Sequence, residues 1–252
     1  MLALEKPDTF FSHLVELRDR LIRALIVIGV LFLVSWFWPT WPRLYSLFAQ
    51  PLLASLPEGG KMISTDVVSV FLVPMKIAAL SAFLIALPYV LYQAWAFIAP
   101  GLYQHEKKLV MPLVVSSTVL FFAGMAFAYF LIFPMVFKFM ASFAPEGVAW
   151  MTDIEKYFGF ALSMFVVFGI AFEVPVFVVL LVKTGMVSIE KLKEIRPYVI
   201  VAAFIAGAIF TPPDVISQFS LAIPLCLLYE VGIVFAHFVA RKTPAEKENT
   251  AA

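Results

Sequence analysis

Two glutamates near the ends of apolar segments have the surroundings of cation-binding groups. Glu16 lies in the motif Ser12-His-Leu-Val-Glu-Leu-Arg, and Glu106 lies in the motif Tyr103-Gln-His-Glu-Lys-Lys. A carboxylate can accept two parallel N–H bonds from the planar guanidinium of an arginine, a geometry that a lysine cannot offer. Each glutamate also has a simpler explanation, because Glu16 can pair with Arg20 one helical turn later and Glu106 can stabilise a helix N-terminus. The residues alone leave both interpretations open.

Two further glutamates lie inside apolar runs, where a charge is costly. Glu173 occurs in Ala171-Phe-Glu-Val-Pro and Glu230 in Leu228-Tyr-Glu-Val-Gly. A charged side chain near the centre of a bilayer costs at least about 2.5 kcal/mol, so acids in membrane segments usually mark internal cavities or polar contacts. We favour a functional role for both residues. The alternative is a structural acid that is protonated, or hydrogen-bonded to the carbonyl groups freed near Pro175.

Other kinds of chemistry find little support in the residue types. A single cysteine, Cys226, allows neither an internal disulfide nor a thiolate metal cluster. The three histidines, at positions 13, 105 and 237, lie at the ends of apolar segments and do not provide paired axial ligands for a haem. A formal net charge of +1 argues against nucleic acid as a partner. We therefore expect a protein that is not an enzyme and that uses no metal or cofactor.

The elements that position these glutamates are predicted to be membrane-spanning helices. Of the 252 residues 63% are hydrophobic and only 14% are charged, against roughly 25% in a soluble domain. Too few charged residues are available to cover a water-exposed surface, so the fold class is an all-α integral membrane protein. Six apolar stretches are long enough to be spans, about residues 21–38, 70–96, 109–140, 158–182, 198–210 and 215–239. The fifth and sixth are short and are joined by a tight link at residues 211–214.

The charges predict the orientation of one polytopic membrane domain covering residues 1–240. With the N-terminus inside the cell, 13 Lys and Arg residues lie on the cytoplasmic side and 4 on the opposite side, which favours cytoplasmic N- and C-termini. An amphipathic helix over about residues 8–20 is expected on the cytoplasmic membrane surface. Prolines within or beside five spans predict a bent bundle. Residues 241–252 are polar and are predicted to be a disordered tail.

Several motifs, in this order along the chain, resemble those of TatC, the large subunit of the twin-arginine protein translocase. The resemblance extends from Phe11 to about His237. The matching motifs are Ser12-His-Leu-Val-Glu-Leu-Arg, Ala49-Gln-Pro-Leu, Ala94-Trp-Ala-Phe-Ile-Ala-Pro-Gly-Leu-Tyr-Gln-His-Glu, Ala171-Phe-Glu-Val-Pro, Arg196-Pro-Tyr and Phe210-Thr-Pro-Pro-Asp. Members of this family export folded proteins from the bacterial cytoplasm and bind the twin-arginine signal peptide of each precursor.

The resemblance implies a role for each matching residue. Glu16 and Glu106 would recognise the two arginines of the signal peptide. Glu173 would face a water-accessible polar pocket within the membrane, on the inner side of a concave bundle. The other residues implied in signal-peptide binding are Phe97, Leu102, Tyr103, His13 and Arg18. Thr211 and Gln218 would contact small single-span partner subunits similar to TatA and TatB. Pro51, Asp66, Pro212 and Asp214 would be structural or involved in assembly.

The resemblance also implies the setting in which the chain works. It would be a multi-pass protein of the bacterial cytoplasmic (inner) membrane and would form a homo-oligomer within a receptor complex in the lipid bilayer. Export would be driven by the proton-motive force. A different hypothesis is a proton-coupled small-molecule transporter that uses Glu173 and Glu230 as relays, but no inverted repeat supports it. A quinone or haem anchor of a redox complex is a third, which the placement of the histidines disfavours.

Overall fold

The computed structural model describes residues 8–37, 41–55, 62–98, 110–142, 151–211 and 214–249. Their regular elements are helices: α1 (Asp8–Phe37), α2 (Trp41–Leu53), α3 (Ser69–Ile98), α4 (Val110–Phe127), a π turn (Ala128–Ile132), α5 (Phe133–Ser142), α6 (Ile154–Phe172), α7 (Val174–Lys183), α8 (Ile189–Glu194), α9 (Arg196–Phe210) and α10 (Val215–Asn249). The β-structure in these ranges consists of an isolated β-bridge between Ile63 and Asp153. The predicted all-α fold class is confirmed.

Within the described ranges, five long apolar helices and one shorter apolar helix match the six predicted spans. The long ones are Phe11–Phe37, Ser69–Ile98, Val110–Ser142, Ile154–Lys183 and Val215–Phe238, and the shorter one is Arg196–Phe210. Two details differ from the sequence prediction. The amphipathic segment and the first span form one continuous helix, α1, because no Gly or Pro interrupts the chain between them. The sixth span is not short, and α10 continues to Asn249 through most of the segment predicted to be disordered.

Two of the spans are interrupted where the sequence contains a proline. In the third span the N–H of Phe133 bonds to the carbonyl of Ala128, five residues earlier, which closes the π turn just before Pro134. Pro134 has no N–H to continue the normal pattern, so the register shifts at this point. The fourth span breaks at Glu173, and Pro175 lies in the first turn of α7. Helices α3, α4 and α10 continue through their own prolines.

The chain divides into two compact units. The first contains Met1–Pro42 and Met75–Thr118, and therefore α1, most of α3 and the first half of α4. A buried hydrogen bond of 3.0 Å from Trp95 Nε1 to Ser117 Oγ joins α3 to α4. Among the described side chains of α1, Ala24 alone is buried. The other apolar side chains of this helix are partly or fully exposed. In a spanning helix such a surface faces hydrocarbon or another helix.

The second unit contains Arg43–Pro74 and Val119–Ala252, and α6 contributes many of its buried residues. Phe158, Phe165 and Phe168 are fully buried on α6, and Phe165 packs edge-on against Phe133 at a ring distance of 5.1 Å. A Cβ atom on Gly124 would lie 2.4 Å from the carbonyl oxygen of Phe168. Only glycine therefore allows α4 and α6 to approach each other this closely.

A second cluster in the same unit joins α7, α8 and α10. Its buried residues are Val178, Leu192, Tyr229, Ile233 and Ala236. The hydroxyl of Tyr229 donates to the carbonyl of Leu192 at 2.8 Å, which satisfies the polar end of the ring within the apolar cluster. This packing holds the middle of α10 against α7 and α8, next to the start of α9.

Candidate functional site

Glu16 and Arg20 form a charge-assisted pair on one face of α1. Arg20 donates from Nε at 3.0 Å and from Nη2 at 2.6 Å, both to Oε1 of Glu16. The third nitrogen, Nη1, lies 3.4 Å from Oε1 of Gln93 on α3. All three guanidinium nitrogens of Arg20 therefore have a partner. This is the local pair that the spacing of four residues allows.

His13 and Phe97 complete the surroundings of the Glu16 carboxylate. His13 Nδ1 lies 3.5 Å from Glu16 Oε2, the oxygen that Arg20 does not bind. The ring of His13 packs against the ring of Phe97 at 5.2 Å, which connects α1 to the end of α3. The structure thus brings together three of the residues predicted for signal-peptide binding: His13, Glu16 and Phe97.

An apolar groove of about 220 Å³ begins beside this pair, within the first unit. Its walls come from one face of α1 and one face of α3, with Arg20, Gln93 and Phe97 near the polar end. The apolar lining residues are Leu17, Leu21, Ala24, Val90, Ala94 and Ile98. The site can therefore hold a basic group at Glu16 and an apolar segment along the same face.

Sequence reasoning missed Gln93, which is buried and positions the Arg20 side chain. A signal was available, since Gln93 is a polar residue in an apolar helix one turn before Phe97 and on the same face. Arg18 is exposed and bonds to Asp19 at 2.9 and 3.0 Å, so the structure places it away from Glu16. Leu102, Tyr103 and Glu106 lie outside the described residues.

Glu173 lies at the break between α6 and α7 in the second unit. It is 5% exposed, although it is an acid in the middle of an apolar span. Its N–H donates to the carbonyl of Ile170 and its carbonyl accepts from Phe177, each at 3.0 Å, so its backbone belongs to both helices. A role in a water-accessible pocket stays a prediction.

Glu230 has a partner that its sequence position did not reveal. Arg196 Nη2 donates to Glu230 Oε2 at 2.6 Å and joins the first residue of α9 to α10. The two side chains are 42% and 46% exposed, respectively, so the pair is not sealed inside the protein. The ion pair with Arg196 therefore explains how Glu230, one of the two acids inside apolar runs, is accommodated there.

Polar residues at and near the link between α9 and α10 satisfy the helix ends, and one of them, Gln218, joins the two helices. Asp214 caps α10 by accepting the N–H of Ser217 at 2.6 Å, as expected of an acid before a helix. Gln218 Nε2 donates to the carbonyl of Phe204 on α9 at 3.0 Å, and Thr211 Oγ1 donates to the carbonyl of Gly207 at 2.8 Å. Pro212 lies outside the described residues.

Pro51 and Asp66, the other residues predicted to be structural, belong to the segment between α1 and α3. Pro51 is buried within α2, and its carbonyl accepts a hydrogen bond of 2.9 Å from Ser55. The carbonyl of Asp66 accepts hydrogen bonds from Ser64 and Ser69 at 2.9 and 2.7 Å. These bonds order the turn before α3.

Asp153 was not singled out from the sequence, yet it clamps two loops together. It caps α6 through the N–H groups of Glu155 and Lys156, and its other oxygen accepts from the hydroxyl and the N–H of Thr65. These hydrogen bonds, above all the one from the Thr65 hydroxyl, lower the pKa of Asp153 to about 2. An acid immediately before an apolar helix was the available signal.

In the part of the chain that the structure describes, five long apolar helices and a shorter one define a multi-pass membrane protein. The family model for the Sec-independent protein translocase protein (TatC) matches residues 12–224. Related proteins of that name are 48% identical in Haemophilus influenzae, with 96% of this chain and 94% of the relative covered, and 50% identical in Azotobacter chroococcum, with 96% and 97% covered. A crystal structure of the twin-arginine translocase receptor TatC is 37% identical, has a TM-score of 0.81, and is matched over 90% of this chain and 99% of its own.

This chain belongs to the TatC family of Sec-independent protein translocase proteins. The resemblance inferred from the motifs is therefore confirmed. The hypothesis of a proton-coupled small-molecule transporter receives no support from these relatives.

Proposed function

We propose that this chain is the receptor subunit of a twin-arginine translocase and that Glu16 binds an arginine of the signal peptide. The observation that supports this is the Glu16–Arg20 pair, in which the carboxylate already accepts two N–H bonds from a guanidinium. A signal-peptide arginine has the same donor geometry, so it can exchange with Arg20 while Glu16 keeps its charge-assisted hydrogen bonds. Gln93 would retain the released Arg20 through Nη1.

The groove beside Glu16 suits the apolar part of a signal peptide. Its walls are apolar along α1 and α3, and its charged end is at Arg20. A peptide with its arginines at Glu16 would lay the hydrophobic residues that follow against Leu21 and Val90. In this proposal Glu106, which follows α3 in the sequence, binds the second arginine, with Leu102 and Tyr103 shaping the same site and Arg18 adding support near the surface.

The remaining assignments follow the family and the distribution of charge. Both termini are cytoplasmic, since 13 of the Lys and Arg residues then lie inside. The membrane is the bacterial inner membrane, and the proton-motive force drives export. Thr211 and Gln218 contact small subunits similar to TatA and TatB, and Glu173 faces the polar pocket. The chain works as a homo-oligomer in a receptor complex and catalyses no reaction.

Crosslinking in native membranes tests the signal-peptide site. A photo-crosslinking residue replaces Ala94, an exposed position on the groove, and a precursor with a twin-arginine signal is added. Replacing both Glu16 and Glu106 with alanine should lower the yield of the crosslink about 10- to 100-fold, because each change removes a charge-assisted bond. Glu190→Ala, an exposed acid on α8, is the control and should leave the yield unchanged. An undiminished crosslink in the double variant refutes the assignment.

A further inference from the structure

A second groove, separate in its residues from the Glu16 site, runs between α9 and α10 in the second unit. Its volume is about 290 Å³, and the Arg196–Glu230 pair lies among its lining residues. The apolar lining residues include Val199, Ile200 and Phe204 from α9 and Ile223, Cys226 and Leu227 from α10. A charged pair thus adjoins a groove that is otherwise almost entirely apolar.

The charged pair uses only part of its bonding capacity. A guanidinium has five N–H donors, and a carboxylate has about four acceptor positions. In the described part of the chain, Arg196 makes one side-chain hydrogen bond, from Nη2 to Glu230, and its Nε is buried without a partner. Both side chains remain more than 40% exposed, so a ligand can reach them. The pair can accept one negative and one positive group without separating.

The groove opens onto a surface that a membrane protein presents to lipid. Ile200, Ile223 and Leu227 are 47%, 51% and 60% exposed, although all three are large and apolar. Arg196 is the first residue of α9, and the preceding helix α8 carries exposed lysines, Lys191 and Lys193. The charged end of the groove therefore belongs at the interface between water and hydrocarbon. From Arg196 to Phe204 the groove wall covers about 12 Å of helix, enough for the upper part of one acyl chain.

We propose that this groove binds a phospholipid whose headgroup combines a phosphate with a primary ammonium, of the phosphatidylethanolamine type. Arg196 binds the phosphate through the N–H groups of Nη1 and Nη2 that Glu230 does not use, and Glu230 accepts hydrogen bonds from the ammonium. One acyl chain lies along Ile200 and Leu227. A phosphatidylglycerol headgroup offers no cation to Glu230, and the quaternary ammonium of phosphatidylcholine has no N–H to donate. The charge pattern thus selects among lipids, and this proposal does not depend on the signal-peptide site.

Lipid titration of the purified full chain, read by native mass spectrometry, tests the proposal. Delipidated protein is mixed with dioleoyl phosphatidylethanolamine, phosphatidylcholine or phosphatidylglycerol, one at a time. We expect the ethanolamine lipid to bind about tenfold more tightly than either of the others, the effect of one additional charge-assisted hydrogen bond. Equal binding of all three, or a preference for phosphatidylglycerol, overturns the proposal.

Variants separate a headgroup site from general contact with lipid. Glu230→Gln should abolish the preference for the ethanolamine lipid over phosphatidylcholine, whereas Arg196→Gln should weaken both. The double variant Lys191→Gln and Glu194→Gln removes an exposed pair on α8 and is the matched control, which should keep the full preference. A preference that survives in Glu230→Gln refutes the role of that residue.

The ion pair contributes to packing as well, so a variant that retains it is also needed. Ile200→Trp fills the groove with a larger side chain and leaves Arg196 and Glu230 in place. We expect it to lower occupancy by the ethanolamine lipid about tenfold while the protein keeps its elution volume in size exclusion. Unchanged occupancy in this variant contradicts the path proposed for the acyl chain.

Discussion

The two compact units each contain a glutamate–arginine pair, and the two pairs are built differently. In both, the shortest nitrogen–oxygen distance is 2.6 Å. Glu16 and Arg20 are four residues apart on α1, whereas Arg196 and Glu230 are 34 residues apart and join two helices. A pair within one helix can exchange partners without any movement of the backbone. A pair between helices contributes to their packing, so exchange there is costly.

The pairs also differ in how much of the arginine is used. All three guanidinium nitrogens of Arg20 have partners, but in the described part of the chain only one of those of Arg196 does. A ligand of Glu16 must therefore compete with an arginine, which favours ligands that are themselves arginines. A ligand of the second pair can add to it. The first arrangement suits an exchangeable peptide, and the second suits a resident lipid.

The largest effect expected from this difference is on peptide binding. Glu16→Gln keeps the size and an acceptor oxygen but removes the charge, so a twin-arginine signal peptide should bind about tenfold or more weakly. Glu230→Gln makes the same change at the other pair and should alter affinity by less than about twofold. Fluorescence anisotropy of a labelled peptide with the purified chain measures both. Equal losses of peptide affinity in the two variants would contradict the proposal that only the Glu16 pair exchanges with a peptide.

The two units should also respond differently to a methyl group added to a helix. A Cβ on Gly207 would lie 2.9 Å from Cγ of Gln218, whereas a Cβ on Gly29 of α1 would meet nothing within 4 Å. Gly207→Ala should therefore cost about 1–3 kcal/mol, and Gly29→Ala should be neutral or stabilising by up to about 1 kcal/mol. Thermal unfolding in detergent distinguishes them. A destabilised Gly29→Ala would mean that α1 is more tightly packed than the structure indicates.

The number of spans and several helix ends could be predicted from the sequence, because both depend on local properties. Apolar length predicts a span, and Pro134 and Pro175 lie at the two interruptions because each lacks an N–H. The continuity of α1 was missed because its polar first turns suggested a separate surface helix. Those turns contain no helix breaker, so the change in polarity alone marked no boundary.

The partners of the charged residues could not be predicted, because they depend on how the helices pack. Spacing allowed Glu16 to be paired with Arg20, since both lie on one helix. No spacing rule connects Arg196 to Glu230 or Arg20 to Gln93, which are 34 and 73 residues apart. An acid in an apolar run indicated that Glu230 has a polar partner. Only the packing of α9 on α10 identified that partner as Arg196.

Removing the arginine of each pair should have a smaller effect, on stability. Arg196→Met takes away a bond between two helices and should cost about 1 kcal/mol, at the upper end for partly exposed pairs. Arg20→Met takes away a pair within one helix and the long, 3.4 Å contact with Gln93, and should cost roughly 0.3–0.5 kcal/mol. Methionine keeps most of the apolar length in both variants. Melting temperatures that fall equally, or further for Arg20→Met, contradict the assignment of a packing role to the second pair.

The smallest expected effect on stability concerns Asp153, a carboxylate whose hydrogen-bond donors include no arginine. The pKa of Asp153 is about 2 in the folded chain, below its ordinary value of 3.8, mainly because the Thr65 hydroxyl donates to it. The folded state therefore binds this proton less readily than the unfolded state, and the stabilisation is present above about pH 4 and lost as the pH falls towards 2. Asp153→Asn should lower the melting temperature slightly at pH 7 and leave it closer to that of the unsubstituted chain near pH 3. A difference that stays constant across this range would mean that the clamp acts through its shape and not through its charge.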